Sequence, residues 1–314
     1  MILGRYLADN RIRVGARVDD QHVVDLELDE SSWAPGTDPM TGLITGGHDA
    51  LEAAGQKAAK APKRAYRRID GLHLLAPVAP RRLRNFSVYE GHLRNAFESG
   101  IEMRAGRTVG RAIRRTKIVR LPRGWYRRPT YYKGNHLSVV GPHDDIVIPP
   151  YTTQLDYELE LAIVVGRPGV NISDGRALEH VFGYTLLNDV SARDVLTREL
   201  FSGTGPAKGK DFDTGNVLGP WLATRDEIPD PRALSGEVRV NGQVRSTCTT
   251  ADMHHTVSSM VAEASRGETL MPAEVLSTGC CTWGSGIELM TFLERGDLLE
   301  LTLRPFGTQR SVIV

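Results

Sequence analysis

At 314 residues, with 40% hydrophobic and 25% charged side chains, the chain has the composition of a globular protein with one large domain, or with one large and one small domain. Its formal net charge of +1 excludes a chain that binds nucleic acid over its whole surface, and also an acidic disordered one. Three cysteines are too few for a disulfide framework, and no apolar run is long enough for a signal peptide or a membrane span, so we expect a cytoplasmic protein with no membrane partner.

The first quarter of the chain predicts a small β-rich domain. Residues 1–28 alternate between apolar and polar in the manner of short strands, and residues 49–61 have the composition of a surface helix. The prolines in the run at 62–82 are typical of a connector. We therefore predict an N-terminal domain at 1–75 and a mixed α/β, β-rich domain at 76–314.

The segment 103–128 is the main compositional anomaly, because it contains ten Lys or Arg residues and no acidic residue. Since the whole chain carries +1, the remainder carries about −9. We interpret the segment as a basic, mobile insert in the larger domain that attracts an acidic substrate or packs at a subunit contact. A solvated loop stays open. A nucleic-acid-binding module is a remote alternative, because Trp125 and Tyr126 are the only aromatic residues of the segment.

The larger domain predicts alternating strands and short helices. In chain order we predict a strand at 158–166, a short helix capped by Ser173 or Asp174, a strand at 183–190, a hairpin at 238–246, a helix at 253–267 and a strand at 296–303. The hairpin prediction depends on Asn241 and Gly242, because a type I′ turn needs a positive φ at both central residues.

Three carboxylates stand at the ends of apolar strands. Glu158 and Glu160 are two residues apart, so in a strand their side chains leave the same face, and Asp189 ends the next predicted strand. Two carboxylates on one apolar face are unfavourable unless a cation lies between them. Such an oxygen cage suits Mg²⁺, although a solvent-exposed face with alternating glutamates stays open. The spacings HxH, HExxH and CxxC, which indicate zinc, do not occur in the sequence.

The glycine-rich run at 203–221 contains two lysines. It does not match a phosphate-binding P-loop, because Thr204 stands where a glycine is required and Asp211 stands where Ser or Thr is required. Lys208 or Lys210 near the three carboxylates would offset their charge and stabilise an enolate. A flexible, solvated lysine loop stays open.

These motifs resemble, in order and spacing, the fumarylacetoacetate hydrolase family over roughly residues 80–310. The resemblance rests on the runs LDYELELAIVVG, GYTLLNDVSARD and GKDFDTGNVLGPWLATRDEI, followed by VNGQ, LSTG and ERGDLLEL. It implies a rolled, mixed β-sheet like that of the family's C-terminal domain, a Mg²⁺ or Mn²⁺ cofactor and a homodimer. Carried onto this chain, it also implies the metal ligands Glu158, Glu160 and Asp189, the catalytic Lys210, and the substrate-binding Lys133 and Thr278.

The run at 85–98, NFSVYEGHLRNAFE, resembles the lid of the family, in which a histidine is catalytic, and His92 takes that position. Many members carry a glutamate three residues later that helps the histidine activate water, but this chain has Asn95. From the match to the lid, and because Gly100, Gly106 and the basic segment follow it, we predict a mobile lid with His92 as the base. If the missing glutamate limits the activation of water, Asn95→Glu should raise hydrolysis relative to decarboxylation or tautomerisation. A second departure puts Cys280 and Cys281 where Thr-Pro is frequent, and we interpret both cysteines as packing residues.

The resemblance implies a reaction on a small 2-oxo or 1,3-diketo acid, such as an acylpyruvate or fumarylacetoacetate. A 2-oxo acid can bind Mg²⁺ through its carboxylate and keto oxygens, and the metal then stabilises the enolate that forms. When a histidine and a carboxylate activate water, the water attacks a distal carbonyl. Because C–C hydrolases are frequent in the family that the chain resembles, we predict a C–C hydrolase. The close alternative on the same site is a decarboxylase, or an isomerase or tautomerase of a 2-oxo or 2-hydroxydienoic acid.

Overall fold

The computed structural model describes residues 1–31, 33–116 and 118–314. Ser32 lies outside the described residues, and so do Lys117 and the side chain of Arg114, which belong to the basic segment. In the described part, the α-helices are α1 (Pro39–Thr45), α2 (Gly47–Lys60), α3 (Glu90–Ala105), α4 (Arg107–Thr116), α5 (Arg123–Arg127), α6 (Arg193–Phe201) and α7 (Val257–Ala264).

The strands of the same described part are β1 (Ile2–Ala8), β2 (Arg11–Arg17), β3 (His22–Asp25), β4 (Tyr66–Arg68), β5 (His73–Leu75), β6 (Leu83–Phe86), β7 (Tyr131–Gly134), β8 (Val139–Val140), β9 (Leu155–Asp156), β10 (Glu158–Val165), β11 (Val181–Asp189), β12 (Ser191–Ala192), β13 (Asn216–Leu218), β14 (Leu222–Thr224), β15 (Ser235–Val240), β16 (Gln243–Thr249), β17 (Val275–Ser285), β18 (Leu298–Leu303) and β19 (Thr308–Val312).

One large mixed sheet organises these strands. Its main path runs β4-β3-β2-β1-β14-β11-β10-β17-β6-β7, with β13 and β8 attached at β11 and β5 attached at β1. The β17–β6 and β13–β8 pairs are parallel, and the other pairs of this sheet are antiparallel. A four-stranded sheet, β16-β15-β18-β19, and the β12–β9 pair complete the architecture. The predicted mixed, β-rich α/β class is confirmed.

The predicted N-terminal strands form, and they extend the large sheet. β1 pairs with β14 through Ile2 and Ala223, so residues 1–75 share backbone hydrogen bonds with the larger domain. The proposed division at residue 75 stays a prediction. Helix α1 was not predicted, although its signal is present: Asp38 accepts hydrogen bonds from the backbone N–H groups at the start of the helix, and Pro39 occupies its first turn.

The hairpin β15–β16 forms as predicted, whereas helix α7 begins later than predicted, and local turn and cap contacts explain both results. In the hairpin β15–β16, Asn241 has φ 53° and Gly242 has φ 75°, as a type I′ turn requires. Helix α7 begins later than predicted, because the Thr256 hydroxyl accepts a hydrogen bond from Ser259 N at 3.1 Å and so caps the helix there.

The centre of the sheet is buried on both faces. All eight residues of β10 and all nine of β11 are buried, because each strand has a neighbour on either side and helices or the second sheet above and below. Carboxylates at these positions are therefore removed from water, which makes their partners decisive for the stability of the fold.

The basic segment is largely helical and is joined to the body of the protein. It forms α4 and α5, and Trp125 of α5 donates a hydrogen bond from Nε1 to Ser87 O at 2.8 Å. His255 Nε2 contacts Trp125 O at 2.6 Å from the other side. No helix in the described parts of the chain has both the length and the apolar character needed to cross a bilayer.

Candidate metal centre and active site

Two adjacent strands bring three carboxylates to one point. Glu158 and Glu160 lie at the start of β10, and Asp189 ends the neighbouring strand β11. One carboxylate oxygen from each lies within 4.8 Å of the others, and all three side chains are buried. The structure therefore brings these three residues together. Their role as metal ligands stays a prediction.

Part of this cluster has no partner within the described protein. Both oxygens of Glu160 and Oδ1 of Asp189 are buried and accept no hydrogen bond. A buried carboxylate without a partner is strongly unfavourable. Oxygen ligands of this kind are what Mg²⁺ and Mn²⁺ prefer, so the residues present fit a divalent cation.

Two cations hold the remaining oxygens of the cluster. Lys210 Nζ contacts Glu158 Oε2 at 2.7 Å and Asp189 Oδ2 at 2.8 Å, and it also donates to Asp189 O at 2.9 Å. Arg193 donates from Nη2 to Glu158 Oε1 at 2.6 Å and from Nε to Asp156 Oδ2 at 2.6 Å. Lys210 thus lies at the site as predicted, with all three ammonium protons directed at carboxylate or carbonyl oxygens.

The charges of the site leave room for one divalent cation. Its five buried carboxylates are Asp156, Glu158, Glu160, Asp189 and Glu288. Among the described residues, the positive groups in contact with them are Arg193, Lys210 and, when protonated, His92. With His92 protonated, two negative charges remain uncompensated, which equals the charge of one Mg²⁺ or Mn²⁺ ion, and with His92 neutral three remain.

The two glutamates of β10 respond to burial in opposite ways. Burial tends to raise the pKa of Glu158, but Arg193 and Lys210 outweigh it and hold the pKa of Glu158 well below its ordinary value. Burial together with the charges of Asp189 and Glu158 raises the pKa of Glu160 well above its ordinary value. When no cation is bound, ionisation is therefore more unfavourable for Glu160 than for Glu158.

A histidine and a carboxylate lie against the metal cluster. His92 Nδ1 contacts Glu288 Oε2 at 3.1 Å, and His92 Nε2 faces Glu158 Oε1 at 3.6 Å. Burial tends to lower the pKa of His92, but Cys280 and Glu288 outweigh it and raise that pKa well above its ordinary value. The predicted histidine is thus paired with a carboxylate, and its other nitrogen faces the cluster. Opening and closing of helix α3 stays a prediction.

Glu288, rather than a residue of the predicted lid, is the carboxylate that contacts His92. It belongs to the 3₁₀ turn Ile287–Leu289, 196 residues from His92, so no local spacing joins the two. Asn95 Nδ2 and Trp283 N each donate to Glu288 Oε1 at 3.0 Å, and Ser285 Oγ donates to Oε2 at 2.9 Å. Asn95 therefore helps to fix the carboxylate that contacts His92.

This contact reverses the expectation for Asn95→Glu. A glutamate at position 95 would place a second carboxylate against Glu288 and remove the hydrogen bond from Asn95 Nδ2. Two adjacent carboxylates shift each other's pKa by about one unit or more. We therefore expect turnover to fall by about tenfold. Asn95→Gln, which keeps the amide, is the matched control in a comparison of kcat. A higher hydrolysis rate in Asn95→Glu would contradict the assignment of Glu288.

The two residues predicted to bind substrate lie elsewhere. Lys133 is exposed and lines a separate surface depression with Arg82 and Arg84, whereas its neighbour Tyr132 donates a hydrogen bond to Asp189 Oδ2 at 2.6 Å. Tyr132, rather than Lys133, is the residue of β7 that reaches the carboxylates, because successive side chains of a strand leave opposite faces.

Thr278 is fully buried, but its hydroxyl serves the backbone. Thr278 Oγ1 accepts a hydrogen bond from Leu161 N at 3.2 Å and donates one to Gly279 O at 3.0 Å. The pairing of β10 with β17 shifts register between Glu160 and Ala162, and the hydroxyl takes the N–H group at that irregularity. This position corrects the predicted substrate contact: Thr278 supports the strand that carries Glu160.

A cavity of about 310 Å³ opens onto the carboxylate cluster. One wall is polar and contains the residues just described. Another part of the lining is apolar and comes from residues of α3 and α6, namely Leu93, Ala96, Phe97, Leu196, Leu200 and Phe201. The site therefore joins an ionic centre, suited to the oxygens of an oxo acid, to an apolar chamber.

Comparison with known proteins gives one family. A family model described as "Fumarylacetoacetate (FAA) hydrolase C-terminal" matches residues 101–314. Oxaloacetate tautomerase YisK of Bacillus subtilis is 31% identical over 313 residues, which cover 95% of each chain. The mitochondrial oxaloacetate tautomerase FAHD2B of Homo sapiens is 39% identical over 172 residues, or 54% of each chain. A solved fumarylacetoacetate hydrolase from Exiguobacterium antarcticum matches 100% of this chain and 99% of its own, with a TM-score of 0.75 and 28% identity.

Proposed function

Because this chain belongs to the fumarylacetoacetate hydrolase family, whose enzymes act on small oxo acids, we propose that it is a metal-dependent hydrolase. The bond cleaved is a carbon–carbon bond of a small acid with a 2-oxo or 1,3-diketo group, of the acylpyruvate type. The observation that carries the proposal is the pairing of His92 with Glu288 beside the carboxylate cluster, since C–C hydrolysis needs a base that activates water.

The carboxylates of Glu158, Glu160 and Asp189 are the groups that would hold Mg²⁺ or Mn²⁺. Such a cation, when bound, supplies Lewis acidity toward the oxygens of a 2-oxo acid. Lys210 and Arg193 keep Glu158 ionised, Lys210 with Tyr132 fixes Asp189 Oδ2, and one oxygen of each of the three carboxylates lies within 4.8 Å of the others. These contacts preorganise the site, which limits the reorganisation needed during the reaction.

His92 and Glu288 would handle the protons of the reaction. His92 Nε2 removes a proton from water as the water oxygen attacks the distal carbonyl carbon, and Glu288 stabilises the imidazolium that forms. The bond between that carbon and the enolisable carbon then breaks, and its electron pair stays with the enolisable carbon. His92 returns the proton to this carbon, so one water is consumed and a carboxylic acid and a shorter 2-oxo acid are released.

The apolar wall supports a substrate whose distal group is apolar. Among the described residues that line the cavity, the only lysine and arginine are Lys210 and Arg193, and both are ion-paired with carboxylates. A second substrate carboxylate would therefore have no free cationic partner, whereas an alkyl or aryl group would cover the side chains of α3 and α6.

We expect kcat/KM to rise about fourfold for each methylene added to a straight-chain acylpyruvate, until the cavity is full, since each buried methylene contributes about 0.8 kcal/mol. Oxaloacetate, with its distal carboxylate, should be a poorer substrate than any of them. Leu200→Ala should flatten this dependence. Leu178→Ala is the matched control, because Leu178 is similarly exposed, at 38% against 43%, but lies away from the cavity. A preference for oxaloacetate would contradict the proposed substrate class.

A tautomerase is the second candidate, and the full-length similarity to an oxaloacetate tautomerase favours it. The same His92 would then move a proton between the enolisable carbon and the enol oxygen, with no water consumed. Decarboxylation on the same site would release CO₂. Identification of the products by mass distinguishes the three reactions, and loss of turnover on addition of EDTA tests the need for a divalent cation.

The remote nucleic-acid alternative for the basic segment has its own test. Duplex DNA that binds at physiological salt, with an affinity that falls as salt is added, would favour that alternative.

We also propose that the protein is a homodimer with an isologous interface, as the family resemblance implies. Light scattering at micromolar concentration should give about twice the mass of one chain. A monomer at that concentration would overturn this proposal.

A further inference from the structure

A second group of potential ligands adjoins the carboxylate cluster and differs from it in chemistry. A nitrogen of His92, the sulfur of Cys280 and a carboxylate oxygen of Glu288 lie within 4.8 Å of one another, and all three side chains are buried. The carboxylate cluster offers only oxygen, whereas this group offers nitrogen, sulfur and oxygen. Zinc takes ligand atoms of all three types, and an open zinc site has three protein ligands with a fourth position left for water.

The spacing of the group suits a tetrahedral ion. Bonds of about 2.0 Å from zinc to nitrogen and oxygen place these two atoms about 3.3 Å apart in a tetrahedron. His92 Nδ1 and Glu288 Oε2 already lie 3.1 Å apart, so an ion between them requires only a small movement. His92 and Cys280 both line the cavity, which gives an ion a path to the site.

The surroundings also resemble the outer contacts that orient metal ligands. With Nδ1 on the ion, His92 Nε2 would carry the proton and face Glu158 Oε1, now 3.6 Å away. A carboxylate behind a ligating histidine fixes its tautomer and raises its basicity. Asn95 and Trp283 N hold the other oxygen of Glu288, and Ser285 Oγ donates to Oε2 at 2.9 Å, so the carboxylate is fixed with Oε2 toward His92.

We propose that His92, Cys280 and Glu288 form a binding site for Zn²⁺, separate from the carboxylate cluster, and that Zn²⁺ bound there blocks turnover. The sulfur selects a softer ion than Mg²⁺, which prefers an all-oxygen site. One thiolate and one carboxylate neutralise the two charges of Zn²⁺, so the buried site carries no net charge. Burial raises the pKa of the Cys280 thiol, and the ion displaces its proton on binding. Turnover stops because His92 and Glu288 are no longer free to move a proton.

Cobalt is the first probe, because a thiolate bound to Co²⁺ gives a charge-transfer absorption that oxygen and nitrogen ligands do not give. Co²⁺ is added to the Mg²⁺-saturated protein, and Zn²⁺ affinity is then measured by competition. We expect one equivalent of Co²⁺ to produce the band and Zn²⁺ to remove it. Cys280→Ser should abolish the band and weaken Zn²⁺ binding by at least about 100-fold. Cys281→Ser, in the adjacent buried and free cysteine outside the group, should retain both.

A measurement on the unaltered protein covers the case in which Cys280→Ser does not fold. X-ray absorption of the protein with one equivalent of Zn²⁺ should show one sulfur at about 2.3 Å. A shell of oxygen and nitrogen alone, or a band that persists in Cys280→Ser, would overturn the site. Zn²⁺ should also inhibit the wild type at saturating Mg²⁺, and Cys280→Ser should resist inhibition relative to its own zinc-free rate. Zinc binding that leaves turnover intact would overturn the inhibitory role.

Discussion

Replacement of Glu288 by glutamine is expected to lower kcat by roughly 10²–10⁴, the size of a general-base contribution, and His92→Ala should have an effect of similar size. Glu288 Oε2 lies 3.1 Å from His92 Nδ1, and a neutral amide there cannot stabilise the imidazolium that forms when His92 takes a proton. The double variant should be little worse than either single variant, because the two residues act as a unit.

The pH dependence gives this prediction a second readout. Glu288 is among the groups that raise the pKa of His92, and His92 must be neutral to accept a proton. Activity should therefore rise with pH as His92 loses its proton, and Glu288→Gln should move that rise to lower pH while lowering the maximum. Glu90→Gln is the matched control on the same helix, because Glu90 contacts Tyr126 and Arg94 instead. A Glu288→Gln variant with normal kcat would exclude Glu288 as the partner of His92.

Glu160→Gln is expected to reduce turnover by roughly 10³ or more and to abolish the Mg²⁺-induced rise in Tm, since it removes the carboxylate with two free oxygens. The same change should stabilise the metal-free protein by about 1–3 kcal/mol, because a buried carboxylate without a partner is replaced by a neutral amide. Activity and stability therefore change in opposite directions at this position.

Glu158→Gln is the informative comparison, only two residues away. It leaves Arg193 and Lys210 buried with one carboxylate fewer, so it should destabilise the metal-free protein by about 3–5 kcal/mol. Urea unfolding in EDTA measures both free energies of unfolding. Equal destabilisation of both variants would show that the difference between the paired Glu158 and the unpaired Glu160 does not determine the stability of the metal-free protein.

The pH dependence of stability separates the same two residues. The raised pKa of Glu160 means that the folded protein binds the proton more tightly than the unfolded chain does, so metal-free stability falls as pH rises from the ordinary carboxyl range through the raised pKa. The lowered pKa of Glu158 gives stability that is lost as pH falls below the ordinary range. Glu160→Gln should remove the first dependence and leave the second.

Local periodicity was enough to predict the carboxylate centre. The two-residue repeat of a strand put Glu158 and Glu160 on one face, and the end of the next strand supplied Asp189. The hairpin at Asn241–Gly242 was equally accessible, because its turn type depends on those two residues alone.

Contacts between distant segments could not be predicted in this way. Glu288 meets His92 only because β17 and the turn that follows it pass beneath helix α3, and no spacing in the chain encodes that approach. Tyr132, and not Lys133, contacts Asp189 because of which face of β7 meets the site. The family motif alone does not show which face that is. Thr278 was misassigned because the sequence does not reveal the register shift that its hydroxyl serves.

Hydrolysis of an alkyl acylpyruvate in ¹⁸O-labelled water, with Mg²⁺ present and products identified by mass, tests the central claim most directly. Because His92 activates water for attack on the distal carbonyl, the account predicts that one ¹⁸O atom enters the carboxylic acid released from the acyl half. In the His92→Ala variant, the rate of ¹⁸O incorporation should fall by the same factor as the rate of turnover. A substrate that only interconverts between its keto and enol forms, or that loses CO₂ with no ¹⁸O in a released acid, would contradict the hydrolase.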